Sequence, residues 1–139
     1  MGVELADTSA WTSRRRDPAV SDEFERRLEA GEIATCAMVK LELLWETQDS
    51  TIFRRRRGLL DALDEIAIDE RVWTRATEVF ERLGADGPLH DRRVKIPDLL
   101  IAAAAELAGV PVCHYDRDFE LIAKVTGQPV RAIAPLGSL

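Results

Sequence analysis

Apolar residues along this chain fall into two alternating kinds of run. Short, nearly continuous runs at residues 3–6, 33–36, 66–68, 110–115 and 130–133 predict strands buried on both faces, because a half-buried strand would alternate. Longer stretches with apolar residues three and four apart predict helices over 19–30 (closed by Gly31), 38–48, 52–63, 70–83, 99–108 and 119–125. Strand and helix in alternation predict a short, mostly parallel sheet covered by helices on both sides. There is no internal repeat, and residues 84–97 form the only long irregular piece expected.

In an open parallel sheet, ligands bind beyond the carboxyl ends of the strands. Asp7 directly follows the first predicted strand and Asp116 the fourth. Asp98 opens the helix that feeds the fourth strand, so it starts from the same rim. Glu42 sits on a stretch, "MVKLELLW", that is apolar over most of its circumference. A glutamate buried there is costly unless it is paired, protonated or bound to a cation.

Composition narrows the class. The 139 residues suffice for one domain, and 46% hydrophobic with 32% charged residues describes a soluble globular chain. No apolar run is long enough to cross a bilayer, and Glu4, Asp7 and Arg14 to Arg16 oppose reading the N-terminus as a signal peptide, so the expected location is cytoplasmic, away from membranes. Cys36 and Cys113 lie in strand-like segments, as buried thiols do in a reducing compartment. A net charge of −6 argues against a partner held by overall positive charge. The arginine-bearing stretches "SRRRD" (13–17), "RRRR" (54–57) and "DRRVK" (91–95) leave room for a locally basic approach to an acidic site.

Each acid alone has a plain role, since a carboxylate at a helix N-terminus accepts backbone N–H groups and favours the dipole. Four carboxylates converging on one rim would repel one another, and a divalent cation resolves that repulsion. Ligands that are all oxygen point to a hard ion such as Mg²⁺ or Mn²⁺.

The segments "LADTSAW" (5–11), "MVKLELLW" (38–45), "PDLLIAAAA" (97–105) and "HYDRDFELIA" (114–123) resemble, in order and spacing, the acidic motifs of PIN-domain nucleases, and specifically of VapC-type toxins of toxin–antitoxin pairs. The resemblance spans the chain and implies one PIN-like domain over 1–139 with three α/β/α layers. Carried over by position, its metal-binding and catalytic acids are Asp7, Glu42, Asp98 and Asp116, with Asp118 a less certain fifth and Thr8 and Ser9 the small polar pair after the first acid. It implies Mg²⁺- or Mn²⁺-dependent hydrolysis of RNA to 5′-phosphate and 3′-hydroxyl ends, with no histidine as general base; His114 is read as structural. Arg14, Arg92, Arg93 and Arg117 flank the motifs and are candidates for RNA phosphates. The resemblance further implies a VapB-like antitoxin, a homodimer and a toxin–antitoxin hetero-oligomer. Trp11, Leu44, Trp45 and Phe53 are candidates for the antitoxin groove.

Other classes fit less well. An aspartyl phosphotransferase would carry a second acid where Ser9 stands, a receiver domain would need a lysine in the segment 129–139, and a nucleotide switch needs a glycine-rich phosphate loop. The remaining alternative is a catalytically silent PIN-like domain that binds RNA or a partner without cutting.

Overall fold

The computed structural model describes residues 2–85 and 94–139; Arg92 and Arg93 lie outside the described residues. In chain order the elements are β1 (Glu4–Ala6), α1 (Thr8–Ser13), a 3₁₀ turn (Arg14–Arg16), α2 (Pro18–Glu29), β2 (Ile33–Cys36), α3 (Ala37–Trp45) and α4 (Ser50–Asp61). They continue with β3 (Asp64–Ile66), α5 (Glu70–Ala85), α6 (Ile96–Ala108), β4 (Val112–His114), α7 (Arg117–Thr126) and β5 (Val130–Ala132). The five strands are ordered β3-β2-β1-β4-β5 and every pairing is parallel. With helices on both faces, this is the three-layer α/β/α arrangement that the alternating pattern predicts.

Two elements depart from the pattern. Residues 8–13 form a helix where none is expected, because their serines and threonines are weak helix formers. The helix holds because Asp7 caps it and Ala10 and Trp11 are buried. The third strand is Asp64–Ile66 and not 66–68. It is an edge strand paired only with β2, so its face need not be apolar, and Asp64 and Glu65 are exposed. Ile68 packs against the core from beyond the strand's end.

The core runs through the centre of the sheet and along α6. Leu5, Ala6, Cys36, Val112 and Cys113 are fully buried on the strands, and residues 99–105 are buried without interruption. Burying a side chain such as Ile101 stabilises the fold by roughly 1.5–3 kcal/mol. The alanines at 102–105 let α6 approach closely; Gly109, in the left-handed region at φ 71°, then turns the chain toward β4. Glu4 on β1 is buried, yet fully paired: Arg27 of α2 donates to it at 3.1 Å and Arg131 of β5 through two hydrogen bonds at 2.8 Å. Both cysteines are free and buried, and burial pushes the Cys36 thiol up to about 11 and Cys113 to about 12.

Candidate metal centre

The chain crosses from β3 on one side of β1 to β4 on the other, so the strand order reverses between β1 and β4. Asp7 and Asp116 leave the sheet at that crevice. Asp7 caps α1, its Oδ2 accepting the Ser9 amide at 2.9 Å and the Ser9 hydroxyl at 2.6 Å. The same Ser9 oxygen accepts the Tyr115 amide at 2.9 Å, which ties the end of β1 to the end of β4. Asp116 caps α7, its Oδ1 accepting the Asp118 amide at 2.9 Å. Asp118 follows in the first turn of α7, and Asp98 stands in the first turn of α6.

These placements bring three carboxylates together. One oxygen each from Asp98, Asp116 and Asp118 lies within 4.8 Å of the others. Two unit charges at that distance repel by about 1 kcal/mol in water and about 3–4 kcal/mol at the effective dielectric of a protein interior. Asp98 is 6% exposed and Asp118 7%. Burial, then a hydrogen bond to the Asp118 carboxyl, then the charges of Asp7, Asp116 and Asp118 push the Asp98 carboxyl up to about 9. Asp7, 3% exposed, is raised as well, chiefly by burial; the Ser9 hydrogen bonds oppose the shift and the Glu42 charge adds to it.

Glu42 is half-buried on α3, and its Oε1 accepts the Thr8 hydroxyl at 2.9 Å. The expectation that an apolar helix buries it needs correcting: only Val39 and Leu43 are buried on α3, while Leu41 and Trp45 are exposed, Trp45 at 83%. Glu42 is held near Asp7 by the Thr8 hydroxyl, not by an apolar wall. Lys95 lies 4.0 Å from Asp116 and is the one cation within ion-pair reach of these acids among the described residues. Arg117 is exposed at the start of α7. Arg14 is engaged within the fold. Its guanidinium lies 5.2 Å from the Trp11 ring and 5.1 Å from that of Phe24, bonds the Trp11 carbonyl and pairs with Glu25 at 3.6 Å, which leaves it poorly placed for an RNA phosphate.

The PIN domain family matches residues 5–125. The chain belongs to the PIN-domain family. Ribonuclease VapC18 of Mycobacterium tuberculosis is 41% identical over 137 residues, 99% of each chain, and Ribonuclease VapC21 of the same organism 42% over 138 residues, 96% of each. Solved structures with this fold include a DNA-bound VapBC from Salmonella typhimurium (TM-score 0.71, 18% identity, covering 96% of this chain and 100% of that one). VapBC2 from Rickettsia felis, bound to a DNA fragment from their promoter, has a TM-score of 0.72 at 14% identity, covering 94% and 98%.

In this PIN domain the donor set fits a hard divalent cation. Asp7 Oδ1 and Asp98 Oδ2 are buried and accept no hydrogen bond, which for a carboxylate oxygen is costly unless a cation takes that place. Among the described residues every candidate ligand is a carboxylate, which suits Mg²⁺ or Mn²⁺ and not a thiolate- or imidazole-seeking ion. The resemblance makes Asp118 the less certain fifth acid, because the family varies more at that place and an acid two residues after Asp116 also suits helix initiation. The signal was the spacing itself: a cap residue and the second residue of the helix both project from its N-terminal end. Ser9, of the small polar pair after the first acid, donates to Asp7 and accepts from the Tyr115 amide just beyond β4.

Proposed function

We propose that this chain is a metal-dependent endoribonuclease acting as the toxin of a toxin–antitoxin pair. The single observation that carries the reading is the convergence of buried Asp98 and Asp118 with half-buried Asp116, near Asp7, with two carboxylate oxygens left unpartnered. Kinship with curated VapC ribonucleases over nearly the whole chain supports RNA as the substrate. Asp7, Asp98, Asp116 and Asp118 would hold the cation and Glu42 would stand beside them, steadied by Thr8. A divalent cation held there would supply a hydroxide-like nucleophile near neutral pH and charge neutralisation at the phosphate, and hydrolysis of this kind would leave 5′-phosphate and 3′-hydroxyl ends. The protein's own groups do the orienting. Ser9 keeps Asp7 facing the crevice, Lys95 and Arg117 offer positive charge to the RNA backbone at its mouth, and burial of Asp7 and Asp98 keeps bulk water out.

A cleft of about 640 Å³ supports the antitoxin as partner. Its lining includes Trp11, Leu43, Ile52 and Leu59 together with Arg15 and Arg55. Arg14, Arg15, Arg55 and Arg56 line it beside a single acid, Glu46, so the cleft suits an amphipathic segment that brings carboxylates. Of the groove candidates from sequence, Trp11 lines this cleft. No helix among the described residues is long and apolar enough to cross a membrane, and the proposed RNA substrate places the activity in the cytoplasm. The direct test is cleavage of cellular RNA by purified protein with Mn²⁺ and with chelator. Cleavage only with metal, lost on Asp98→Asn, is the expected result, whereas metal-independent cleavage or none at all would overturn the reading.

A further inference from the structure

His114 ends β4, is fully buried, and is two residues from Asp116. Beyond it the strand ladder stops, and the next two amides are held by side chains. The Tyr115 amide donates to the Ser9 hydroxyl at 2.9 Å and the Asp116 amide to His114 Nδ1 at 3.1 Å. A ring nitrogen that accepts an N–H carries no proton, so the hydrogen of the neutral imidazole is on Nε2. Nε2 faces Glu120 Oε1 at 3.2 Å, one turn into α7, and the ring packs on Phe119 with centroids 5.3 Å apart. The carboxylate of Glu120 can only accept, so it selects that tautomer, and the tautomer in turn makes Nδ1 the acceptor that Asp116 needs. Two helical residues and one strand residue therefore fix the peptide from which the Asp116 carboxylate projects.

We propose that His114 is a positioning residue of the acidic site: oriented by Glu120, it holds the Asp116 amide and so aims the Asp116 carboxylate at Asp98 and Asp118. The inference rests on the metal-centre reading above. A histidine that only fills the core would be replaceable by any residue of similar volume. A positioning histidine has an atom-specific requirement, because only an acceptor at the Nδ1 place holds the amide.

Asparagine and glutamine separate these roles. In His114→Asn the side-chain oxygen reaches the Nδ1 place, while His114→Gln extends toward the Nε2 place and leaves the Asp116 amide unheld. Mn²⁺ affinity is read from metal-dependent shifts in thermal melting of the full chain, and exchange of the Asp116 amide is followed by NMR in chelator. His114→Asn should keep Mn²⁺ affinity within about twofold of wild type, whereas His114→Gln should weaken it about 10–100-fold, the range for lost outer-sphere partners. Exchange at Asp116 should accelerate in His114→Gln at least tenfold more than in His114→Asn. Equal Mn²⁺ affinity in the two variants, or equal Asp116 exchange, would overturn the proposal. Failure of the underlying reading looks different: wild type itself shows no Mn²⁺ shift, and the exchange contrast alone then decides whether His114 holds Asp116.

Discussion

The Thr8 hydroxyl donates to Glu42 Oε1 at 2.9 Å, joining the first residue of α1 to the middle of α3 across 34 positions of sequence. This contact places a half-buried glutamate beside Asp7, whose carboxyl feels its charge. Thr8→Val keeps the shape and removes the donor. The expected loss is about 1 kcal/mol, or roughly fivefold in Mn²⁺ affinity measured by titration calorimetry. An unchanged affinity would mean that Glu42 is set by its helix alone.

Asp98→Asn should raise the melting temperature of the metal-free protein, because it removes a carboxyl that burial and the charges of Asp7, Asp116 and Asp118 force to take up a proton on folding. The variant should also lose most of the stabilisation that wild type gains from Mn²⁺, which is about 2.7 kcal/mol at a hundredfold excess over Kd. For a domain of this size that corresponds to roughly 2–4 °C per kcal/mol. Melts in chelator and in millimolar Mn²⁺ read both halves. A destabilised variant with a full metal response would return Asp98 to ordinary service at a helix terminus.

Asp98 also predicts the pH dependence of the metal-free fold. Its carboxyl is pushed up to about 9 when folded, against about 3.9 for an unperturbed aspartate. The folded state therefore holds a proton that the unfolded chain releases, and stability falls as pH rises from about 4 to about 9. Denaturant midpoints in chelator should decline through that window in wild type and flatten in Asp98→Asn. The slope should shrink with saturating Mn²⁺, which competes with the proton.

Resemblance alone ranks Asp118 as a lesser contributor, but its burial and its place within 4.8 Å of Asp98 and Asp116 predict otherwise. Asp118→Asn should lower single-turnover RNA cleavage about as much as Asp116→Asn, by roughly 100-fold or more, as loss of a group that positions the reacting atoms does. A deficit under tenfold would make Asp118 a helix-starting residue.

The cleft beside α1 and α4 sets the last expectation. Reversing Arg15 and Arg55 together to Glu should weaken association with the cognate antitoxin at least tenfold, by like-charge juxtaposition with its acidic groups. Surface plasmon resonance at two salt concentrations checks this, and an unchanged affinity would move the partner elsewhere.

The sequence by itself determined the class of fold and three places on the rim. Strands buried inside a parallel sheet must read as continuous apolar runs, and half-buried β5 at the far edge also carries one, so the positions of β1, β2, β4 and β5 are legible within a residue or two, and the acid after β1, the acid after β4 and the acid opening α6 follow from chain direction. Only the tertiary structure decided the rest. An edge strand such as β3 needs no apolar face, and α1 owes its helix to a cap and a docked tryptophan, so neither leaves a periodic trace. Whether Asp118 joins Asp98, whether Thr8 meets Glu42, and which nitrogen of His114 carries the hydrogen depend on atoms brought together from distant segments. Periodicity reports which side of an element faces the core; it carries no information about the partner that a polar side chain finds there.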